Sequence, residues 1–163
     1  MKIGVIADTH DDLDNLERAL AVLRDEGVTT LLHCGDVCEP GTLAILTGFD
    51  VWLAQGNMDR AIGLTPVVEE MFGRGRLAWL HRLSLDGYRV ALVHGDNGEA
   101  LGNLVASGDY AWVLHGHTHR RRDQQVGRTR VVNPGALGGT RYERRSFCIL
   151  DLGAGIARFV ELP

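Results

Sequence analysis

Five short apolar runs in this chain end in the same way. "KIGVIADTH" (2–10), "TTLLHCGD" (29–36), "DVWLAQGNMD" (50–59), "RVALVHGD" (89–96) and "YAWVLHGHTH" (110–119) each pass from strand-like residues straight into aspartate, asparagine, histidine and glycine. The first of these, "KIGVIA", reads as a buried strand, and strands that alternate with helices argue for a parallel α/β sheet. Polar residues gathered at the ends of such strands limit what the fold can be.

The covering helices are legible in part. Asp11 or Asp12 offers an N-cap, and Leu13, Leu16, Leu20 and Leu23 follow at 3-4-3 spacing to make one face of a helix that Gly27 can close. Pro40 can open a short helix carrying Leu43 and Leu46. The segment from Arg60 to Arg76 has no regular period. "RLSL-DG-YRVALVHG" predicts a hairpin turning at Asp86-Gly87, and a helix is expected near 99–107. "VVNPGALGG", "RSFCILDL" and "IARFVEL" read as short strands and turns. The chain therefore begins α/β and ends mostly β, which two facing sheets with helices outside would accommodate.

At 163 residues one domain is expected, long enough to bury roughly two-thirds of its unfolded surface. A net charge of −4 gives no basic footprint for nucleic acid. No apolar run reaches the roughly 18 to 20 residues that span a bilayer. Three cysteines are an odd count, unsuited to a disulfide framework, and together with the absence of a signal-like N-terminus they lead to an expectation of a cytoplasmic protein. The sequence leaves open whether the chain forms a homo-oligomer.

In open α/β sheets ligands bind where the carboxyl ends of strands meet. That rule draws together Asp8, His10, Asp36, Asn57, Asp59, His94 and the histidines of "HGHTH". Mixed carboxylate, imidazole and amide oxygen donors favour borderline divalent ions such as Mn²⁺, Fe²⁺, Ni²⁺ or Zn²⁺. Seven ligands are too many for one tetrahedral ion, whereas two ions sharing a bridging carboxylate would use them all.

The order D-x-H, GD, GN-x-D, HG, GH-x-H resembles the calcineurin-like metallophosphoesterase superfamily. The size and the "NPG" after the last motif are similar to its small bacterial and archaeal phosphodiesterase branch, which also contains the retromer subunit of this fold. The resemblance implies a four-layer α/β/β/α sandwich of two facing mixed β-sheets. It implies one metal on Asp8, His10, Asp36 and His119, and a second on Asn57, His94 and His117, with Asp36 bridging. Asp36, Asn57 and His94 are thereby candidates for the reacting centre. It also implies hydrolysis of a small phosphodiester by in-line attack of a metal-bridging hydroxide, two ions about 3.5–4 Å apart activating the water and clamping the phosphoryl group. A scaffold of the same fold with weak catalysis and a phosphomonoesterase or nucleotidase are the alternative readings.

Many members carry histidine where this chain has Met58, and a thioether cannot protonate a leaving group. Phosphodiesters with acidic leaving groups are therefore expected to be the better substrates. Asp59 is a candidate support for the ligands. Arg120, Arg121 and Arg122 either greet an anionic substrate or form a solvated loop. Asn133 is expected to anchor the turn at Pro134-Gly135. His33, His81 and His115 are expected to be structural or surface histidines, and the Cys34/Cys38 spacing lacks the second pair that a separate zinc site needs.

Overall fold

The computed structural model describes residues 1–163, apart from the Ala61 side chain. In chain order the elements are β1 (Lys2–Ile6), α1 (Leu13–Asp25), β2 (Thr30–His33), a 3-10 helix (Pro40–Leu46), β3 (Asp50–Ala54), α2 (Ala61–Phe72), β4 (Leu77–Ala78), β5 (Leu80–Leu85), β6 (Tyr88–Val93), α3 (Gly98–Ser107), β7 (Trp112–Leu114), β8 (Arg121–Val126), β9 (Thr129–Pro134), β10 (Ser146–Asp151) and β11 (Ile156–Glu161). One sheet has the order β11-β10-β1-β2-β3-β4 and the other β5-β6-β7-β9-β8. Both are mixed: β1 pairs parallel to β2 and antiparallel to β10, while β6 pairs parallel to β7 and antiparallel to β5.

Three apolar clusters make the layers. Ile6, Leu31 and Val51 face outward from the first sheet and meet Leu16, Leu20 and Leu23 of α1, Leu43 and Leu46, and Leu64 and Val68 of α2. Val5, Leu32 and Leu150 face inward and pack on Val90, Leu92, Leu114 and Val132 of the second sheet. Ala91 and Val113, on that sheet's far side, are covered by Leu101, Leu104 and Val105 of α3. The result is the α/β/β/α sandwich, with the strands of the middle layers buried on both faces as their apolar runs require. Each fully buried Leu or Ile contributes roughly 1.5–3 kcal/mol by leaving water.

Local chemistry explains most boundaries. Asp12 caps α1 by accepting the Asn15 N–H. Asp86 and Gly87, both at positive φ, turn the β5–β6 hairpin. Two expectations fail. The segment from Arg60 to Arg76 contains α2, because Leu64, Val68, Val67 and Met71 recur at i, i+4; Gly63 and Pro66 interrupt the pattern without stopping the helix. Arg121 and Arg122 are not loop residues but begin β8, an edge strand whose polar sequence "RRDQQV" carries no apolar alternation. Among the described residues, no helix is long and apolar enough to cross a membrane.

Candidate metal centre

The loops after β1, β2, β3, β6 and β7 are bound to one another at one edge of the sandwich. Asp8 N–H donates to Gly35 O, His10 N–H to Asp36 O and Gly116 N–H to His94 O. Among the described residues, eight that are not glycine have positive φ, and seven of them lie here: Asp8, His10, Asp11, Asp36, Cys38, His117 and His119. A left-handed conformation costs a side-chain-bearing residue about 1–2 kcal/mol, so this concentration is strain held in place by the surrounding structure.

The strained backbone turns two sets of donor atoms inward. Asp8, His10, Asp36 and His119 each place one ligand atom within 4.8 Å of the others. His10 Nε2 and His119 Nε2 lie 3.2 Å apart, with Asp36 Oδ2 3.5 Å from the former and Asp8 Oδ1 3.6 Å from the latter. In the second set His94 Nε2 is 3.0 Å from Asn57 Oδ1 and 3.3 Å from His117 Nδ1, which is itself 3.2 Å from Asn57 Oδ1. Asp36 Oδ2 also lies 3.4 Å from His94 Nε2, so one carboxylate oxygen belongs to both sets. All seven expected donors are thus brought together.

The far sides of these groups decide what the near sides can do. His119 Nδ1–H donates to Thr140 O at 2.8 Å, and His94 Nδ1–H donates to Cys34 O at 2.8 Å. Each bond leaves an Nε2 lone pair pointing inward. Cys38 Sγ lies 3.6 Å from His10 Nδ1, on the side of that ring away from the other donors. Met58 N–H donates to Asp36 Oδ1, and His117 N–H is shared by both Asp8 oxygens. Donor atoms that converge at 3.0–3.6 Å need a proton or a cation between them, and a divalent cation can take that place. The donor set therefore fits divalent metal.

The electrostatics carry the same message. Burial lifts the Asp8 carboxyl to about 6 against the pull of His119 and His94. Burial also pushes Asp36 upward, but the His94 hydrogen bond, the Met58 amide and the charges of His94 and His10 outweigh it and hold Asp36 below its ordinary value. Desolvation opposes charge on His94, yet Asp36, the Cys34 carbonyl and Asp8 raise it to about 9. The pocket draws positive charge to the point between Asp36 and His94.

The remaining candidates divide. Asp59 is buried: Oδ2 accepts Asp36 N–H at 2.9 Å and Gly56 N–H at 2.7 Å, while Oδ1 accepts Cys38 N–H at 2.9 Å. Asn133 donates to Gly116 O and Thr118 Oγ1 and accepts Gly135 N–H, so it ties the "HGHTH" turn to the "NPG" turn. Met58 is exposed, and Arg120 lies over the Tyr142 ring at the rim. Arg121 is engaged by Glu143 and Glu161, and Arg122 by Gln124. His33 is buried between Thr9 Oγ1 and Gly35 N–H, His81 donates to Leu53 O, and His115 donates to Gly116 O, so none of the three joins the centre. The cysteines are unpaired. Thr140 O, Cys34 O and Tyr142 had no signature in the sequence, since backbone carbonyls are independent of residue type and Tyr142 lies outside every motif.

Known proteins resemble this chain in sequence and in fold. The family model for a calcineurin-like phosphoesterase superfamily domain matches residues 1–155. Phosphodiesterase MJ0936 of Methanocaldococcus jannaschii is 30% identical over 145 residues, covering 85% of this chain and 86% of that protein. The structure of an archaeal phosphodiesterase superposes with a TM-score of 0.93 at 28% identity, over 99% of this chain and 100% of that one. Zinc-complexed Vps29 of Entamoeba histolytica shares the fold, with a TM-score of 0.66 at 22% identity over 99% and 98% of the two chains.

Proposed function

Because the chain belongs to the calcineurin-like phosphoesterase superfamily, we propose that its residues 1–163 act as one domain that hydrolyses small phosphodiesters with two divalent metal ions, Mn²⁺ first among the borderline ions. The observation that carries this reading is the single oxygen, Asp36 Oδ2, shared by the Asp8/His10/His119 set and the Asn57/His94/His117 set. When bound, the two ions would neutralise phosphoryl charge and lower the pKa of water.

The chain's own groups hold and orient. Asp36 commits Oδ1 to the Met58 amide and keeps Oδ2 for the cations. His94 and His119 are fixed in the tautomer that presents Nε2, through Cys34 O and Thr140 O. His117 is exposed and bounds the outer side of the second set, where substrate can enter. Neither of the two residues that follow Asn57 offers an acid to a leaving oxygen. Met58 carries no proton, and all of the Asp59 carboxylate's contacts are with backbone amides. Leaving groups that bear negative charge well are therefore favoured.

A scaffold that only binds partners has no use for seven complete donors held in strained backbone, which favours the enzymatic reading. The test is a rate profile for metal-loaded protein across aryl diesters, alkyl diesters and monoesters. Aryl diesters are expected to react fastest, and a monoester preference would replace this reading with that of a phosphomonoesterase.

A further inference from the structure

Two large side chains stand exposed at the donor cluster, Tyr142 next to a donor of the first set and Met58 next in sequence to a donor of the second. Tyr142 is 57% exposed and Met58 is 54% exposed. Tyr142 adjoins the Asp8/His10/His119 set, its ring centroid 6.2 Å from that of His119 in an edge arrangement. Met58 follows Asn57 and is fixed by its amide on Asp36 Oδ1.

Tyr142 is exposed but not loose. Thr140 O, two residues before it, accepts the His119 Nδ1–H at 2.8 Å. Glu143, one residue after it, accepts both the Arg121 backbone N–H at 3.0 Å and the Arg121 Nε–H at 3.2 Å. Arg145 donates to Gly138 O and Gly139 O, fixing the start of the same loop. Arg120 Cζ lies over the Tyr142 ring, 4.8 Å from its centroid, which orients the ring and places positive charge on one face. A flat ring held in place by a cation on one face, with more than half of the residue exposed, is a surface for stacking an aromatic group that carries an anion.

We propose that Tyr142 is a specificity-determining residue, the stacking wall for an aromatic substituent of the phosphodiester, with Met58 bounding the space for its other organic group. The proposal rests on the phosphodiesterase reading and deepens it. A monoester has one organic substituent, whereas walls at both donor sets suit a phosphate that has two. The shared chemistry is a planar π system, whether a simple aryl ring or a heteroaromatic base.

The experiment measures binding, not turnover. Calorimetric titration of Mn²⁺-loaded protein with diphenyl phosphate and with dimethyl phosphate compares two ligands of equal charge that differ in their rings. Native protein is expected to favour diphenyl phosphate by about 10-fold. Tyr142→Ala is expected to remove most of that preference, while Tyr142→Phe keeps it, because stacking needs the ring and not the hydroxyl. A preference that survives in Tyr142→Ala, or none in the native protein, overturns the assignment of Tyr142. A native protein that binds neither diester overturns the phosphodiesterase reading itself.

Discussion

The carboxylate of Asp59 holds the backbone of Asp36: Oδ2 accepts the Asp36 N–H at 2.9 Å and, on the same oxygen, the Gly56 N–H at 2.7 Å. Its other oxygen takes the Cys38 N–H. One buried side chain thus joins the loop that carries the shared aspartate to the loop that carries Asn57.

Asp59→Asn replaces one accepting oxygen by a donor and leaves at least one of these buried amides without a partner. The unmet amide costs about 1–3 kcal/mol, and loss of such a support typically weakens metal binding 10–100-fold. The expected outcome is a lower Tm together with weaker Mn²⁺ affinity. Unchanged affinity in a folded variant would show that Asp36 keeps its position without Asp59.

Asp36→Asn and His119→Ala separate the bridge from a ligand in one set. Asp36 Oδ2 approaches both His10 and His94, whereas His119 belongs to the Asp8/His10/Asp36 set alone. Metal analysis should find both equivalents depleted in Asp36→Asn and one retained in His119→Ala. Equal losses in the two variants would contradict the shared-oxygen assignment.

On the proposed reading, position 58 sets the sensitivity to leaving group. Its backbone amide holds Asp36 Oδ1 and its side chain is exposed, so Met58→His can add an imidazole without removing that bond. A positioned general acid contributes about 10²–10⁴-fold, most where the leaving group is poor. The native protein should lose kcat/KM steeply from aryl to alkyl diesters, and Met58→His should narrow the gap at matched metal occupancy. A flat native profile would mean that another acid already acts.

His33 should make the fold acid-sensitive. Burial pushes its pKa down to about 3, against an ordinary value near 6.5. A histidine with a depressed folded pKa binds its proton more readily when unfolded. Its contribution is therefore complete above about pH 6.5 and declines as pH falls from there toward 3. Thermal melts in chelator should show Tm falling across that window, less steeply in His33→Gln. Identical slopes would place the sensitivity elsewhere.

The architecture was legible because the middle-layer strands are buried on both faces, and continuous apolar runs such as "VALVHG" and "YAWVLHG" record that directly. The α1 face was equally clear from Leu16, Leu20 and Leu23. Where periodicity fails, so does the reading. Pro66 masks α2, and β8 lies at a sheet edge where a polar sequence suffices. At the centre, residue type marks the donors but not what orients them. Thr140 O and Cys34 O act through the backbone, and Gly56 is needed because a Cβ there would collide with Asp36, which only the folded approach of two loops reveals.

The central claim is that one oxygen of Asp36 serves two ions. Its most direct test is metal stoichiometry joined to activity in the same sample. Protein stripped with chelator and dialysed should be inactive toward bis(4-nitrophenyl) phosphate, and titration with Mn²⁺ should restore hydrolysis as two equivalents bind per chain. Full activity in excess chelator, or saturation at one equivalent with full rate, would contradict the account.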